Sequence, residues 1–558
     1  MKHLKILFWI LIALILFFTR FYKLTAYPQG LTIDEVSIGY NAFSILKTGR
    51  DEWGTLLPVS FRSVGDFKAP LLIYLTVPFV RFLGLNELSV RLPVALASVI
   101  NVYLFWLLVS RYIFTKKHQH LAYLSTFIFS LSPWVIIYSR SGFEAILAQT
   151  FMLANVLFAF RFLRTGKLSD FLGQFFFAYL SAIAYHSTKI VVPLLNLALI
   201  IYQPKFYLSS FSEWRRKNKT GLLLTALFFA AITIFFLKNF VFGPGASRAK
   251  MTFLAQDFDY ARILLPVFTS QPLAWLTAKI GLLSFWFKRL LEYFSPNFYL
   301  SSGLGLATFG QPGQGVIYAI EYPFLFVGFL ALIFRRQLFN SQQISRTISF
   351  FLTIWFFLSL LPASITNNSQ HSLRTLNIVP VVAILIAVGF YAAFVFIRQN
   401  FRWLFLGLVT VGYLYGLLRF ADYYTLHYPV ELSETRSYGW KEMALYGRDH
   451  HQEYDHVYVD HRFGTQGPYN YGIPYMYFLF YSQYDPAKFM TDPRRETFNA
   501  DFENYIFAVL NWPDVDHTEH NLYIASPWSL PKEVIGSSQE KYYVPCLNGT
   551  SGLYAVSD

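Results

Sequence analysis

Apolar runs dominate the chain and set its reading. They recur at 4–19, 88–110, 120–138, 145–163, 169–185, 188–203, 220–238, 316–334, 347–364, 376–397 and 402–420. Runs of roughly 18 residues are what a helix needs to cross a hydrocarbon layer. Backbone groups in lipid must be bonded internally, and ten-residue segments of strict alternation are missing, so helices are expected rather than a barrel. Lys2, Lys5 and the run Leu4 to Phe18 resemble a signal peptide. Thr19-Arg20-Phe21-Tyr22-Lys23 offers no small-residue cleavage site, so the run reads as a retained first span.

Between the runs, basic residues fall in alternate short loops: Arg111, Lys116 and Lys117; Arg161, Arg164 and Lys167; Lys205, Arg215, Arg216, Lys217 and Lys219; Arg335, Arg336 and Arg346; Arg398 and Arg402. With a cytoplasmic N-terminus all five loops lie inside, and everything after residue 420 lies outside. Two outer loops are long, the first (20–87) and the fourth (239–315). The first holds the apolar stretch Pro70 to Leu83, too short to span and suited to a helix at the interface. The fourth holds Leu273 to Tyr293, where Trp275, Phe285, Trp286 and Phe287 alternate with Lys279, Lys288, Arg289 and Glu292 in the manner of an interfacial amphipathic helix.

After 420 the pattern becomes that of a soluble domain. Strands are expected at 457–459, 505–510 and 521–525, with helical stretches near 433–448 and 484–490. The expectation is therefore a mainly α, polytopic helical membrane protein of about 11 transmembrane helices. Residues 1–420 form the membrane domain and 421–558 a small α/β extracytoplasmic domain, with the plasma membrane as the expected location.

Composition agrees. The 558 residues are 55% hydrophobic, 20% aromatic and only 14% charged, against about 25% charged in a soluble protein. The net charge of +14 sits in the short loops, where it reports topology and lipid headgroups rather than nucleic acid. A single cysteine, Cys546, excludes an internal disulfide framework and a multi-cysteine metal site.

Five polar clusters carry candidate chemistry, all at or near outer ends of spans in this topology. Asp34 and Glu35 open a helical stretch to Leu46 with Thr32 as a cap; acids there also simply balance a helix dipole. Gly65-Asp66-Phe67-Lys68-Ala69-Pro70 offers a compact ammonium for a phosphate, or a mere interfacial anchor. Ser139-Arg140-Ser141-Gly142-Phe143-Glu144 holds an i,i+4 pair able to satisfy itself. Tyr185-His186-Ser187-Thr188-Lys189 and Asn367 to Arg374 each hold a histidine that, taken singly, reads as an ordinary solvated residue; His371 and Arg374 are spaced to share a helical face. Ionisable residues at the membrane edge are functional candidates, and acids with Lys, Arg and His compose a phosphate-leaving-group site with a general base.

Asp34-Glu35 followed by Tyr40-Asn41-Ala42 resembles the first loop of GT-C glycosyltransferases, closest to the protein O-mannosyltransferase and aminoarabinose-lipid A transferase clan. Gly49-Arg50-Asp51-Glu52-Trp53-Gly54, Asp66 to Leu71, Gly84 to Pro93, Ser139-Arg140 with Glu144, Tyr185-His186-Ser187, Gly315 to Pro323 and His371 to Arg374 also fit, over roughly residues 1–420. The resemblance implies a polyprenyl-phosphate-linked sugar donor, a protein, glycan or lipid acceptor, and an inverting displacement. Asp34 falls at the catalytic acid position with Glu35 supporting it, and Lys68 matches a basic residue for the donor phosphate. Glu144 stands where relatives carry Asp. Arg140, His371 and Arg374 are candidates for the departing phosphate by charge, and Tyr40, Asp66, Glu144 and His186 for substrate contacts. Close lipid A transferase relatives have an acid directly before the matching Lys and two prolines after it. Here Phe67 and Ala69-Pro70 take those places, with the acid at Asp66. Some clan members bind a divalent metal ion; Asp34, Asp66, His186 and His371 offer ligand atoms without diagnostic spacing.

Two other classes stand beside this reading, a secondary transporter and a non-enzymatic receptor or assembly factor. The chain shows no inverted repeat with paired broken helices, which a transporter would favour. The topology is testable by itself: a reporter enzyme fused after Asp558 is expected to be active outside the cytoplasm, and cytoplasmic activity would reverse the assignment.

Overall fold

The computed structural model describes residues 2–246, 252–256, 260, 274–304, 313–334, 346–367, 370–463, 472–495, 500–515 and 517–558. Arg335, Arg336 and much of the expected fourth outer loop lie outside them. Each of the eleven expected segments contains a helix. His3–Phe21, Glu87–Ile113, Glu144–Thr165, Lys219–Val241, Arg346–Ser364, Leu376–Phe396 and Gln399–Glu431 are long and apolar enough to cross a membrane singly. Lys116–Leu131 with Pro133–Ser139 and Thr188–Tyr202 with Pro204–Lys217 are broken pairs, bent by 50° and 89°. Proline explains both breaks, since it cannot donate to the helix ladder and forces the residue before it out of the helical region; Ser132 has ψ 122° and Gln203 φ −123°. Leu168–Ala184 and Ala319–Leu332 are shorter apolar helices. The described residues thus hold seven candidate spans, or up to nine with the bent pairs. The chain is a multi-span, mainly helical membrane protein with a small C-terminal sheet. Pro70–Leu83 and Ala274–Glu292 are helical as well.

The chain divides into two compact units. The first comprises Met1–Tyr22, Val94–Ser139 and Glu144–Phe420; the second comprises Lys23–Pro93, Arg140–Phe143 and Ala421–Asp558. In the first, Tyr322–Ile333 and Val379–Phe396 cross with backbones nearly touching. A Cβ on Gly389 would strike the Phe324 carbonyl, and one on Gly328 the Leu385 carbonyl. Small residues at such crossings supply the van der Waals contact that holds helices together in lipid.

The second unit is built on two layers. A five-stranded mixed sheet joins β3 (Val457–Asp460), β4 (Tyr505–Ala508), β5 (Leu522–Ala525), β6 (Glu540–Val544) and β7 (Leu553–Ser557) in the order β4-β3-β5-β7-β6. β3 pairs parallel with β4 and β5, while β7 runs antiparallel to both its neighbours. Phe478 of the buried helix Pro474–Tyr481 packs on Tyr505 and Phe507 at one face. Tyr523, Ala525, Leu530, Tyr554 and Val556 build the core cluster.

The first-loop segment contributes the hairpin β1 (Phe61–Ser63) and β2 (Asp66–Lys68) and the helix Ile33–Thr48. That helix starts where it does because Thr32 and Glu35 form a reciprocal capping box, satisfying two orphan amides at once. It stops at Gly49, whose φ of 70° lets its N–H close on the Ile45 carbonyl.

Overfilling the first unit's glycine crossing tests this packing. Gly389→Val is expected to cost about 1–3 kcal/mol, read as a lowered thermal unfolding midpoint in detergent, whereas Phe396→Val at an exposed site on the same helix should leave it unchanged.

Candidate functional site

Glu35 is fully buried. Its Oε1 accepts from Arg91 Nε at 2.9 Å and from the Gly142 amide at 3.0 Å. Its Oε2 accepts from the Thr32 amide at 3.0 Å, Thr32 Oγ1 at 3.1 Å and Arg436 Nη2 at 3.3 Å. The guanidiniums are satisfied in turn: Arg91 Nη1 donates to the Leu24 and Pro28 carbonyls, Arg91 Nη2 to Gly30, and Arg436 Nε to Gln29. Burial alone would raise the Glu35 pKa; Arg91 and Arg436 outweigh it and hold the carboxyl below its ordinary range. Gly142 is required by proximity, since a Cβ there would lie 3.2 Å from Glu35 Cγ and 2.9 Å from Val90 Cγ1. With both oxygens committed, Glu35 holds its neighbours in place rather than meeting a substrate.

Asp34 precedes it on the helix and faces the other way. Its side chain is 28% exposed and forms an ion pair with Lys68, whose side chain is only 5% exposed. This half-open carboxylate beside a buried ammonium is the chemically capable pair of the second unit. Below it on the helix lie Ser37 and Asn41, one and two turns along the same face. Ser37 Oγ meets Ser63 Oγ at 2.5 Å. Asn41 Nδ2 donates to Glu52 Oε2 at 3.2 Å, and Asn41 Oδ1 accepts from the Glu52 amide at 3.1 Å. Glu52 is 1% exposed, and burial, with the neighbouring Asp51 charge adding to it, pushes its carboxyl up to about 7 against the opposing pull of Lys68 and Trp53.

The remaining candidates divide between the units. In the second unit, Tyr40 is fully buried and donates to the Tyr484 carbonyl at 3.2 Å, a packing role rather than an open contact. Asp66 lies in β2 opposite Ser63. Arg140 is 3% exposed, with Nε and Nη2 on the Tyr27 carbonyl and Nη2 also on Lys23. In the first unit, Glu144 opens the helix Glu144–Thr165, and His186 Nδ1 lies 3.2 Å from Lys189 Nζ. His371 and Arg374 sit in a turn before the helix Val379–Phe396 rather than on one helical face. The His371 amide donates to the Tyr293 hydroxyl at 3.0 Å, and Arg374 Nη1 holds Thr366 Oγ1 at 2.7 Å and the Asn367 carbonyl at 2.6 Å. Asn377 Nδ2 reaches Ser187 Oγ at 3.0 Å, so the last two clusters are neighbours within this unit.

The first unit also carries an apolar groove of about 1010 Å³ along Leu168–Ala184, Thr188–Tyr202 and Lys219–Phe236, lined by Phe175, Tyr179, Val192, Asn196, Phe229 and Phe236 among others. Among the described residues no three His, Cys, Asp or Glu side chains gather closely enough to hold a metal ion.

Arg91, Arg436 and Glu52 were not singled out as site residues from the sequence. Arg91 and Glu52 lie in stretches that fit the glycosyltransferase pattern, which is the signal that could have found them. Arg436 stands alone in a polar region and gave none.

No family model matches the chain, and no curated protein matches its sequence. Among solved structures it is similar to ArnT from Cupriavidus metallidurans bound to undecaprenyl phosphate, at 13% identity and a TM-score of 0.49, over 100% of this chain and 98% of that one. It is also similar to the oligosaccharyltransferase AglB from Archaeoglobus fulgidus in complex with an inhibitory peptide and a dolichol-phosphate, at 13% identity and a TM-score of 0.48, over 86% of this chain and 64% of that one.

The two buried carboxyls predict opposite pH behaviour. Glu35, lowered, contributes stability that is present above its unfolded value near 4.5 and is lost as pH falls through its folded value. Glu52, raised, contributes stability that is present below 4.5 and is lost as pH rises through about 7. Glu35→Gln, which leaves two buried guanidiniums without an anion, is expected to cost about 3–5 kcal/mol. Thermal unfolding in detergent checks this; a midpoint equal to wild type would mean that the knot contributes nothing.

Proposed function

We propose that the chain is an integral-membrane glycosyltransferase that moves a sugar from a polyprenyl-phosphate donor to a hydroxyl of a protein, glycan or lipid acceptor on the outer face of the membrane. The observation that carries this reading is the Asp34–Lys68 pair, set at a capped helix start in the segment whose sequence resembles the first loop of GT-C enzymes. The apolar groove of the first unit suits an isoprenoid chain in size and lining.

In this mechanism Asp34 accepts the proton of the acceptor hydroxyl as that oxygen attacks the anomeric carbon. The bond from that carbon to the phosphate oxygen breaks, its electron pair stays on the phosphate, and the configuration inverts. Lys68 turns from Asp34 to the departing phosphate and offsets its charge, a point-charge role for which a lysine ammonium is suited. The exchange of partners frees the Asp34 carboxylate when a donor is in place.

Asp34→Asn is nearly isosteric and is expected to lower sugar transfer by at least about 10²-fold, the low end for a general base, while folding and donor binding persist. Lys68→Met should instead raise the donor KM together with a fall in kcat. Transfer assayed in purified protein with polyprenyl-phosphate sugars checks both, and a fully active Asp34→Asn enzyme would remove Asp34 from the chemistry.

A further inference from the structure

One face of the helix Ile33–Thr48 carries three polar residues in a row, and each has a partner from the segment 52–68. From the open end inward these are Asp34 with Lys68, Ser37 with Ser63, and Asn41 with Glu52. The register explains the rail. Phe61 pairs with Lys68 and Ser63 with Asp66, and Phe61 and Ser63 point inward while Arg62 points out. Side chains directly opposite on a hairpin share a face, so Lys68 lies on the same inner face as Ser63. Ser63 sits between the two ends of the row, its hydroxyl on Ser37. Lys68 therefore pairs with Asp34 and lies within electrostatic reach of Glu52, which is held at the far end of the same row by Asn41.

We infer that Glu52 is a positioning residue for Lys68, a buried carboxyl that, once ionised, draws the ammonium inward and so weakens the hold of this site on a lipid-linked phosphate. The inference rests on the donor reading under Proposed function. Glu52 has no cation of its own within ion-pairing distance among the described residues; its oxygens take the neutral donors Asn41 Nδ2 and Trp53 Nε1. Its proton therefore decides how many negative charges compete for Lys68. The other charged or titratable groups around it have surroundings of their own. Arg495, whose Nη1 donates to the Glu52 carbonyl at 2.9 Å, stays cationic. Tyr40 and Tyr475 are pushed further above neutrality by burial. Asp51 is raised by burial but is held by the Trp53 and Thr55 amides, and Arg62 lies outside, over the Trp53 ring.

The test compares wild type, Glu52→Gln and Glu52→Asp in the full-length purified protein, with undecaprenyl phosphate in detergent as the probe. Binding is measured from pH 6 to 8.5, and each variant is divided by wild type so that the titration of the probe cancels. The wild-type dissociation constant is expected to rise about tenfold relative to Glu52→Gln over this range, a cautious figure for one competing charge at short range. Glu52→Asp should restore the dependence. Infrared titration should show a protonated-carboxyl band that disappears across neutral pH in wild type and is missing in Glu52→Gln. Parallel binding curves for wild type and Glu52→Gln, or a band unaffected by the substitution, would overturn the inference alone. Loss of probe binding in all three proteins at every pH would overturn the donor reading and the inference with it.

Discussion

A carboxylate without water must be given cations and donors or it will not stay ionised. Glu35 meets that demand with two guanidiniums, two amides and a hydroxyl. The consequence is geometric as much as energetic. The five donors come from four separate stretches of chain, Thr32, Arg91, Gly142 and Arg436, so one anion fixes the relative placement of the first loop, the start of a span, a short turn and the C-terminal segment. Arg91 then secures the entry to the helix through the carbonyls at 24, 28 and 30. What Glu35 gives up is reactivity. What it provides is a helix start that cannot drift, with Asp34 as the adjacent residue.

From that fixed start, environment separates three carboxyls within one small region. Glu35 is charged because it is paired twice. Glu52 is equally buried but receives neutral donors in place of guanidiniums, so burial dominates and it sits near the boundary between its two forms. Asp34 is partly open to solvent and is paired with the Lys68 ammonium. Carboxyls whose surroundings push them in different directions are how one site supports different roles without different residue types. Lys68 is the shared element. Held on the inner face of a two-stranded hairpin, it is paired with Asp34 and lies within electrostatic reach of Glu52.

Much of this was legible in the chain. The eleven apolar runs each contain a helix, and the strands expected at 457–459, 505–510 and 521–525 appear as β3, β4 and β5, because period and length report burial directly. The expected helix near 484–490 appears as Pro486–Thr491, whereas the one at 433–448 begins only at Trp440, after a turn. Pro474–Tyr481 was not anticipated as a helix. It is buried along its whole length, and a run of aromatic residues without a polar face has no period to read. β6 and β7 were missed for the complementary reason that β6 is largely exposed while β7 is buried on both faces. At the site, Thr32 as cap followed from local pattern, and Asp34 and Lys68 were each singled out, but their ion pair was not anticipated, since the two stand 34 positions apart. Arg436 did not, because nothing nearby in sequence distinguishes a guanidinium that will be buried against a residue 401 positions away from one that will face water.

That last gap alters the meaning of the C-terminal segment. The chain changes unit at Phe420, as the shift in composition suggests, but the segment from Ala421 onward shares its unit with residues 23–93. Besides Arg436, Pro429 receives a bond from Gln29, Tyr477 donates to the Leu31 carbonyl at 3.1 Å, and Tyr484 accepts from Tyr40. Arg495 reaches the Glu52 carbonyl. These contacts fall at either end of the helix Ile33–Thr48 and along its buried side. A segment attached this way is a wall of the site, not a separate module on a tether, and the acid pair could not keep its present geometry with that wall removed. The first loop supplies the Asp34–Lys68 pair, and the C-terminal segment supplies part of the buried surroundings, with Arg436 on Glu35 and Arg495 on the Glu52 carbonyl.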